Sequence, residues 1–243
     1  MTRPNIIKII CHDIGKHLGC YGVKSVNTNS IDSLAKGGVL FTNAFATSPG
    51  CSPSRAAIAT GRYPHNTGVL GLAHAHFGWS LDKKIKHIAK YFSSNDYNSI
   101  LFGLQHVTYH EETLGFNKIF PERPADQVIK NIKDNINTKL FKKPFYAEVN
   151  FFEPHRPFDY GGVKPFKSKG VFIPKYIPNN RNIKKEFAAM QGAIKKMDQS
   201  VGKIINLLKK QNLYENTIII FTTDHGIPFP RAKGTLYDAG IEC

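Results

Sequence analysis

The sequence predicts an α/β fold: a doubly wound, mostly parallel sheet with helices on both faces. Two observations carry this expectation. Short apolar runs that end in polar residues alternate with longer amphipathic segments, and the last apolar run, NTIIIFTTDHG, is near-continuous, the pattern of a parallel strand buried on both faces. No internal repeat or low-complexity linker interrupts the alternation. In chain order, NIIKIICHD (5–13) reads as a buried strand, IDSLAKGG (31–38) as a short helix closed by glycine, and SRAAIATG (54–61) as a second helix. LDKKIKHIAKYFSS (81–94) reads as a helix, NSILFG (98–103) as a strand, ADQVIKNIKDNINTKL (125–140) as a helix and FYAEVNFF (145–152) as a strand. Over 182–213, Phe187, Met190, Ile194, Met197, Val201, Ile204 and Leu208 advance by threes and fours, which predicts a long helix with one face in the core. NTIIIFTTDHG (216–226) supplies the last strand.

Composition narrows the function classes. With 243 residues, 41% of them hydrophobic, the chain can bury one large core. Cys11, Cys20, Cys51 and Cys243 are scattered and form no CxxC pair, which argues against a disulfide scaffold and a structural zinc site. No apolar run reaches the ~18 residues of a membrane span. The opening MTRPNIIKIICHD goes straight into a strand-like run without the apolar stretch of a signal peptide. As written, the expectation is a cytoplasmic protein with no membrane partner. The net charge of +15, from 33 basic and 18 acidic side chains, raises a nucleic-acid reading. The lysines are dispersed between apolar positions of helical segments, however, so a lysine-rich solvated surface with no nucleic-acid partner is expected, one that could draw in anionic substrates.

In sheets of this kind ligands gather at the carboxyl ends of strands. The first strand stops at His12 and Asp13, the 98–103 run leads into GLQH with His106, the 145–152 run leads into EPHRPF with His155, and the last run stops at Asp224 and His225. Asp13, Asp224 and His225 suit a divalent cation held by oxygen with some nitrogen, although a single Asp after a strand also serves as an N-cap or turn residue. SPGCSPSRAA places Cys51 at the mouth of a helix, where it reads as a buried small hydrophobe, half of a disulfide or a reactive group. Helix N–H groups, the helix dipole and Arg55 one turn on would together bind a tetrahedral oxyanion.

CSPSR followed by AAIATGR, unbroken from Cys51 to Arg62, resembles the type I sulfatase signature C-x-P-S-R-x-x-x-x-T-G-R. FFEPHRPF and the segment from MDQSVGKIINLL to KGTLYDAG also resemble sulfatases, most of all the heparan N-sulfatase branch of the alkaline phosphatase superfamily. The resemblance implies that a formylglycine-generating or sulfatase-maturating enzyme converts Cys51 to Cα-formylglycine. It implies a calcium ion held by Asp13, Asp224, His225 and the modified Cys51, with His12 at the first position of the metal motif. By the same resemblance Arg55 steadies the formylglycine hydrate, while His106, His155 and Lys233 contact the sulfate or its leaving group. One hydroxyl of the hydrate would attack sulfur; deprotonation of the other, assigned to His106, would expel sulfate, with Lys233 and His155 protonating the departing atom. The implied substrate is a sulfated carbohydrate, an N-sulfate or an O-sulfate. A phosphodiesterase or phosphonate monoester hydrolase of the same superfamily and a catalytically silent binding protein are the alternatives. Many relatives are exported, which implies a periplasmic or secreted location instead.

The chain departs from the family pattern in three places. His12 stands where most relatives carry Asp, which makes Mn2+ conceivable in place of Ca2+. Gly103-Leu104-Gln105-His106 stands where relatives have G-K-x-H, so the lysine is missing, and either a neighbour such as Arg62, His65 or His110 compensates or activity is weak. His74 and His76 in GLAHAHFG read as exposed loop histidines, with a pocket-lining role as the other reading. Finally, KGTLYDAGIEC stops where relatives continue, so residues 1–243 are read as the catalytic N-terminal domain without its C-terminal subdomain, leaving sheet edge and apolar surface exposed.

Overall fold

Five strands, β1 (Asn5–Cys11), β2 (Asn98–Gly103), β3 (Lys118–Phe120), β4 (Phe145–Asn150) and β5 (Thr217–Thr223), form one sheet in the computed structural model. The described residues are 3–74, 76, 78–142, 144–166 and 170–243. The strand order is β3-β2-β4-β1-β5 and every pairing is parallel. Parallel strands need crossovers, and these are supplied by α1 (Asn29–Gly37), α2 (Cys51–Thr60), α3 (Ile88–Ser93), α4 (Ala125–Asn135) and α5 (Arg181–Lys210), with a short α6 (Asp238–Ile241) after β5.

Period-two alternation divides the sheet between two faces. Ile7, Ile9 and Cys11 of β1, Ile100 and Phe102 of β2, and Ala147 and Val149 of β4 form the main core with Val128 and Ile132 of α4. The stripe Phe187, Met190, Ile194, Met197, Val201, Ile204 and Leu208 of α5 closes that core. Each fully buried Ile, Val, Leu, Phe or Met among them contributes about 1.5–3 kcal/mol. On the other face Tyr146 stacks on Phe92 of α3, ring centroids 4.6 Å apart, so helices cover both faces. Asn180 caps α5, its Oδ1 accepting the N–H groups of Asn182 and Ile183.

Several expectations are corrected. The helix expected over 81–94 is confined to Ile88–Ser93, because Asp82 Oδ1 accepts the Lys84 N–H in a turn and His87 caps the helix through Nδ1 and the Ala89 N–H. The 125–140 helix ends at Asn135 and the 145–152 strand at Asn150. α2 starts three residues earlier than expected: Gly50 is its extended N-cap and Cys51 its first residue. It ends at Gly61, whose left-handed φ of 67° lets its N–H reach the Ala57 carbonyl. β5 is not buried on both faces. It is the sheet edge, with Ile218 and Ile220 50% and 45% exposed, while Ile219 and Phe221 pack on the core. Among the described residues no helix is long and apolar enough to cross a membrane.

Candidate active site

The carboxyl ends of β1, β2, β4 and β5 open onto the N-terminus of α2. Two residues there hold the left-handed backbone that L side chains rarely adopt: Asp13 at φ 53°, just past β1, and His106 at φ 64°, just past β2. Gly103 makes the second turn feasible, because a Cβ there would lie 2.0 Å from the Asn150 carbonyl oxygen.

Cys51 Sγ lies 3.2 Å from His225 Nε2 and 3.8 Å from Asp13 Oδ1. The cysteine is buried and unpaired, so the disulfide reading fails. Burial and the Asp224 and Asp13 carboxylates push its thiol far above the usual range, so as a thiol it is inert. His225 Nε2 is 3.1 Å from Asp13 Oδ1 and 3.6 Å from Asp224 Oδ1. Its Nδ1 lies 2.9 Å from the Gly226 carbonyl, an acceptor that fixes the ring with Nε2 toward the two carboxylates. Two carboxylates, an imidazole nitrogen and a sulfur converge on one point, with Lys233 Nζ the cationic donor beside Asp13, and a divalent cation suits such a donor set. A histidine whose other N–H is fixed by a carbonyl is the usual form of an imidazole ligand. Asp13, Cys51, Asp224 and His225 therefore fit a metal ion, and their ligand atoms all lie within 4.8 Å of one another. His12, Asp13, Cys51 and His155 make a second such group, in which His12 Nε2 is buried without a hydrogen-bond partner.

The rest of the site holds these carboxylates in place. Asp224 turns Oδ1 to the Asp13 N–H, 3.0 Å away, and Oδ2 to Arg55 Nε at 2.9 Å. His12 Nδ1 lies 2.9 Å from the same Oδ2. Burial opposes ionisation of Asp224, yet His225, His12 and Arg55 hold its carboxyl well below the usual range. Arg55 is itself buried, donating through Nη1 and Nη2 to the carbonyls of Leu104 and Cys11. Its fork thus grips Asp224 and two strand ends, whereas the sequence suggested that it faces the anion directly. Lys233 Nζ donates to Asp13 at 2.7 and 3.0 Å and lies 3.4 Å from His155 Nε2. Burial works against its charge, but the Asp13 carboxylate outweighs this and keeps it protonated.

An imidazole cluster covers the site. The His12 ring centroid is 5.2 Å from that of His155 and 5.8 Å from that of His106. Burial, reinforced by neighbouring positive groups, lowers His12 to about 4 and His106 to about 2, so both rings are neutral. His74, read from the sequence as an exposed loop histidine with a pocket-lining role as the other reading, is exposed and stacks on His106 at 4.3 Å with its Nδ1 against His106 Nε2. His76 stays exposed, as expected. Of the residues offered in place of the missing lysine, Arg62 is exposed, His65 stacks on Tyr63 and His110 pairs with Glu112 at 3.4 Å. Two serines of CSPSR also matter in ways the sequence did not reveal. Ser54 Oγ donates to the Asp224 carbonyl and Ser52 Oγ accepts the Ala73 N–H, tying α2 to β5 and to the loop that carries His74.

The comparisons with known proteins agree with this geometry. The family model described as Sulfatase matches residues 4–242. The chain is 28% identical to human N-sulphoglucosamine sulphohydrolase over 272 residues, covering 98% of this chain and 54% of that protein. It is 30% identical to an ulvan-active sulfatase of Formosa agariphila over 247 residues, 99% of this chain and 47% of the other. Among solved structures, that of Ps i-CgsB in complex with k-i-k-neocarrahexaose superposes with a TM-score of 0.74 at 25% identity, covering 99% of this chain and 64% of the other. The phosphonate monoester hydrolase of Agrobacterium radiobacter shares the fold, with a TM-score of 0.72 at 21% identity over 99% of this chain and 67% of its own. The chain spans about half the length of the curated relatives it matches. With its five-stranded parallel sheet, its α2 signature and a family match spanning almost every residue, the chain belongs to the sulfatase family.

Proposed function

We propose that this chain is the metal-binding and nucleophile-bearing part of a hydrolase that removes sulfate from a sulfated sugar, as an O-sulfate ester or an N-sulfamate. One observation carries the reading: Cys51, the first residue of α2, points its Sγ between His225 Nε2 and Asp13 while Asp224 closes the group. That sulfur marks the place that the oxygens of a hydrated formylglycine would take once a formylglycine-generating or sulfatase-maturating partner has converted residue 51. Once in place, the cation and the oxidised side chain supply an activated oxygen nucleophile. Asp13, Asp224, His225 and residue 51 are the ligands, with His12 alongside. Ca2+ is the expected ion, and the two imidazoles make Mn2+ the alternative.

The chain's other groups have separable tasks. Arg55 fixes Asp224 and the ends of β1 and β2, so the carboxylate does not turn away from residue 51. Lys233, held charged beside Asp13, neutralises negative charge on the sulfuryl oxygens and carries a proton next to His155, where a leaving group can take it. By the family resemblance His106 is assigned the proton of the sulfate-releasing step, its ring being held neutral by burial. Sulfated polysaccharides fit the excess of cationic side chains, and two relatives, an ulvan-active sulfatase and Ps i-CgsB in complex with a neocarrahexaose, engage carbohydrates.

The test is to co-express the chain with a formylglycine-generating enzyme and confirm conversion of residue 51 by mass spectrometry. The product is then assayed on N-sulfated glucosamine, O-sulfated sugars, and phosphate and phosphonate monoesters. Sulfate release that needs both the modified residue and a divalent cation, and is absent in Cys51→Ala, is expected. Faster turnover of a phosphonate, or no turnover by the modified, metal-loaded protein, overturns the reading.

A further inference from the structure

His74 and His106 lie 32 residues apart on separate loops, yet their rings stack with centroids 4.3 Å apart and planes inclined by 24°, and Nδ1 of His74 meets Nε2 of His106. Two imidazole nitrogens in contact share one proton: one ring donates and the other accepts. His106 Nδ1 is buried and has no hydrogen-bond partner among the described residues. If His74 donated, the His106 proton would sit on Nδ1 as an unpaired buried N–H in the field of the nearby Arg55 guanidinium. If His74 accepts, Nδ1 is a lone pair in that positive field, the cheaper arrangement. His74 is exposed, so water can satisfy its remaining nitrogen.

We propose that His74 is a positioning residue for His106: its Nδ1 accepts the His106 Nε2–H and holds that imidazole in one tautomer, with the Nδ1 lone pair directed inward. This rests on the reading of His106 as a proton acceptor. It gives the loop a purpose that Leu104, apolar where relatives carry lysine, does not supply: the orienting third group behind a general base. No bond to substrate is assigned to His74.

The test uses the full chain labelled with 15N-histidine. Long-range proton–nitrogen spectra near neutral pH report the tautomer of His106, which His106→Gln identifies by loss of its signals. The wild type is expected to show the Nε2–H form. His74→Phe keeps the stacked ring but removes the acceptor, and should populate the Nδ1–H form; His74→Asn, whose carboxamide oxygen can accept, should restore the wild-type pattern. In the formylglycine-bearing enzyme His74→Phe should lower kcat about tenfold to a hundredfold with KM changed less than about twofold, and His74→Asn should recover most of it. An identical His106 tautomer in the wild type and His74→Phe, or a wild-type Nδ1–H form, overturns the proposal. The spectra need no turnover. Wild-type inactivity combined with a His74-dependent tautomer would therefore refute the sulfatase reading and support this one.

Discussion

His17 shows what an imidazole costs when no chemistry employs it. It is 4% exposed, lies between Phe172 and Phe187 with ring centroids 5.8 and 5.7 Å away, and its Nε2 has no partner among the described residues. Burial lowers its pKa to about 4, against about 6.5 in an unfolded chain. Between those values the unfolded state binds the extra proton, so stability is complete above about pH 6.5 and is lost as pH falls toward 4, by about 3 kcal/mol in all. Urea unfolding of His17→Leu at pH 7.5 and pH 4 should show the variant gaining about that much on the wild type, because the titrations the two share cancel in the difference. Equal pH dependence would mean that His17 is protonated without penalty. At this scale the sequence exposes chemistry only where position along a strand gives it away. Asp13, His106, His155 and Asp224 could be placed at one sheet edge because each follows an apolar run. His74 could not, because its partner is set by loop conformation. Neither the grip of Arg55 on Asp224 nor the left-handed backbone at Asp13 and His106 leaves a trace in residue spacing.

Paired strands raise a different question, because β1 and β4 carry a lysine and a glutamate into the interior. Lys8 opposes Glu148 in the register, both are buried, and Nζ lies 2.8 Å from Oε2, a charge contact without hydrogen-bond alignment. The Tyr146 hydroxyl and Asn150 Nδ2 donate to the same carboxylate at 2.7 and 3.0 Å. Burial would raise the Glu148 carboxyl; Lys8 and His87 outweigh it and hold the group below the usual range. Such a pair adds little net stability but is expensive to break. Lys8→Met should therefore cost about 3–5 kcal/mol in urea unfolding, and Lys8→Met/Glu148→Leu should recover most of it, leaving about 1–2 kcal/mol for the stranded Tyr146 hydroxyl. A double variant no better than the single would show that the strands need the carboxylate for its hydrogen bonds rather than its charge. Period and length made most elements legible: 98–103 is a strand as read, and the stripe of α5 is the core. The segment 81–94 misled because its apolar spacing suits a helix, whereas the Asp82 turn takes the backbone bonds of its first half. Histidine is also an uncommon cap, so the true start at Ile88 carried no familiar signal.

For the molecule as a whole, β5 decides how the chain behaves in solution. Its sequence reads as a central strand, and it pairs with β1 alone, so one row of backbone donors and acceptors lies along the sheet edge. Beside it run Val39 and Phe41, 79% and 69% exposed, and a cavity of about 560 Å3 lined by Tyr21, Leu34, Phe41, Tyr214, Ile219 and Phe221. Apolar side chains next to unpaired edge groups make a template for another strand, and nothing charged on Ile218 or Ile220 discourages it. This chain should therefore self-associate in a concentration-dependent way, seen as a rise in weight-average mass by light scattering. Ile218→Lys/Ile220→Lys should suppress that rise while changing the unfolding free energy by less than about 1 kcal/mol, since both residues are about half exposed and lysine at an edge deters strand addition. The candidate metal site at the carboxyl ends of β1 and β5 provides the internal control. Cation affinity that is unchanged in the double variant places the effect at the edge, and affinity lost with the association would mean that the copies complete one another's sites. A wild-type chain that stays monomeric across the whole concentration range would show that β5 needs no further partner.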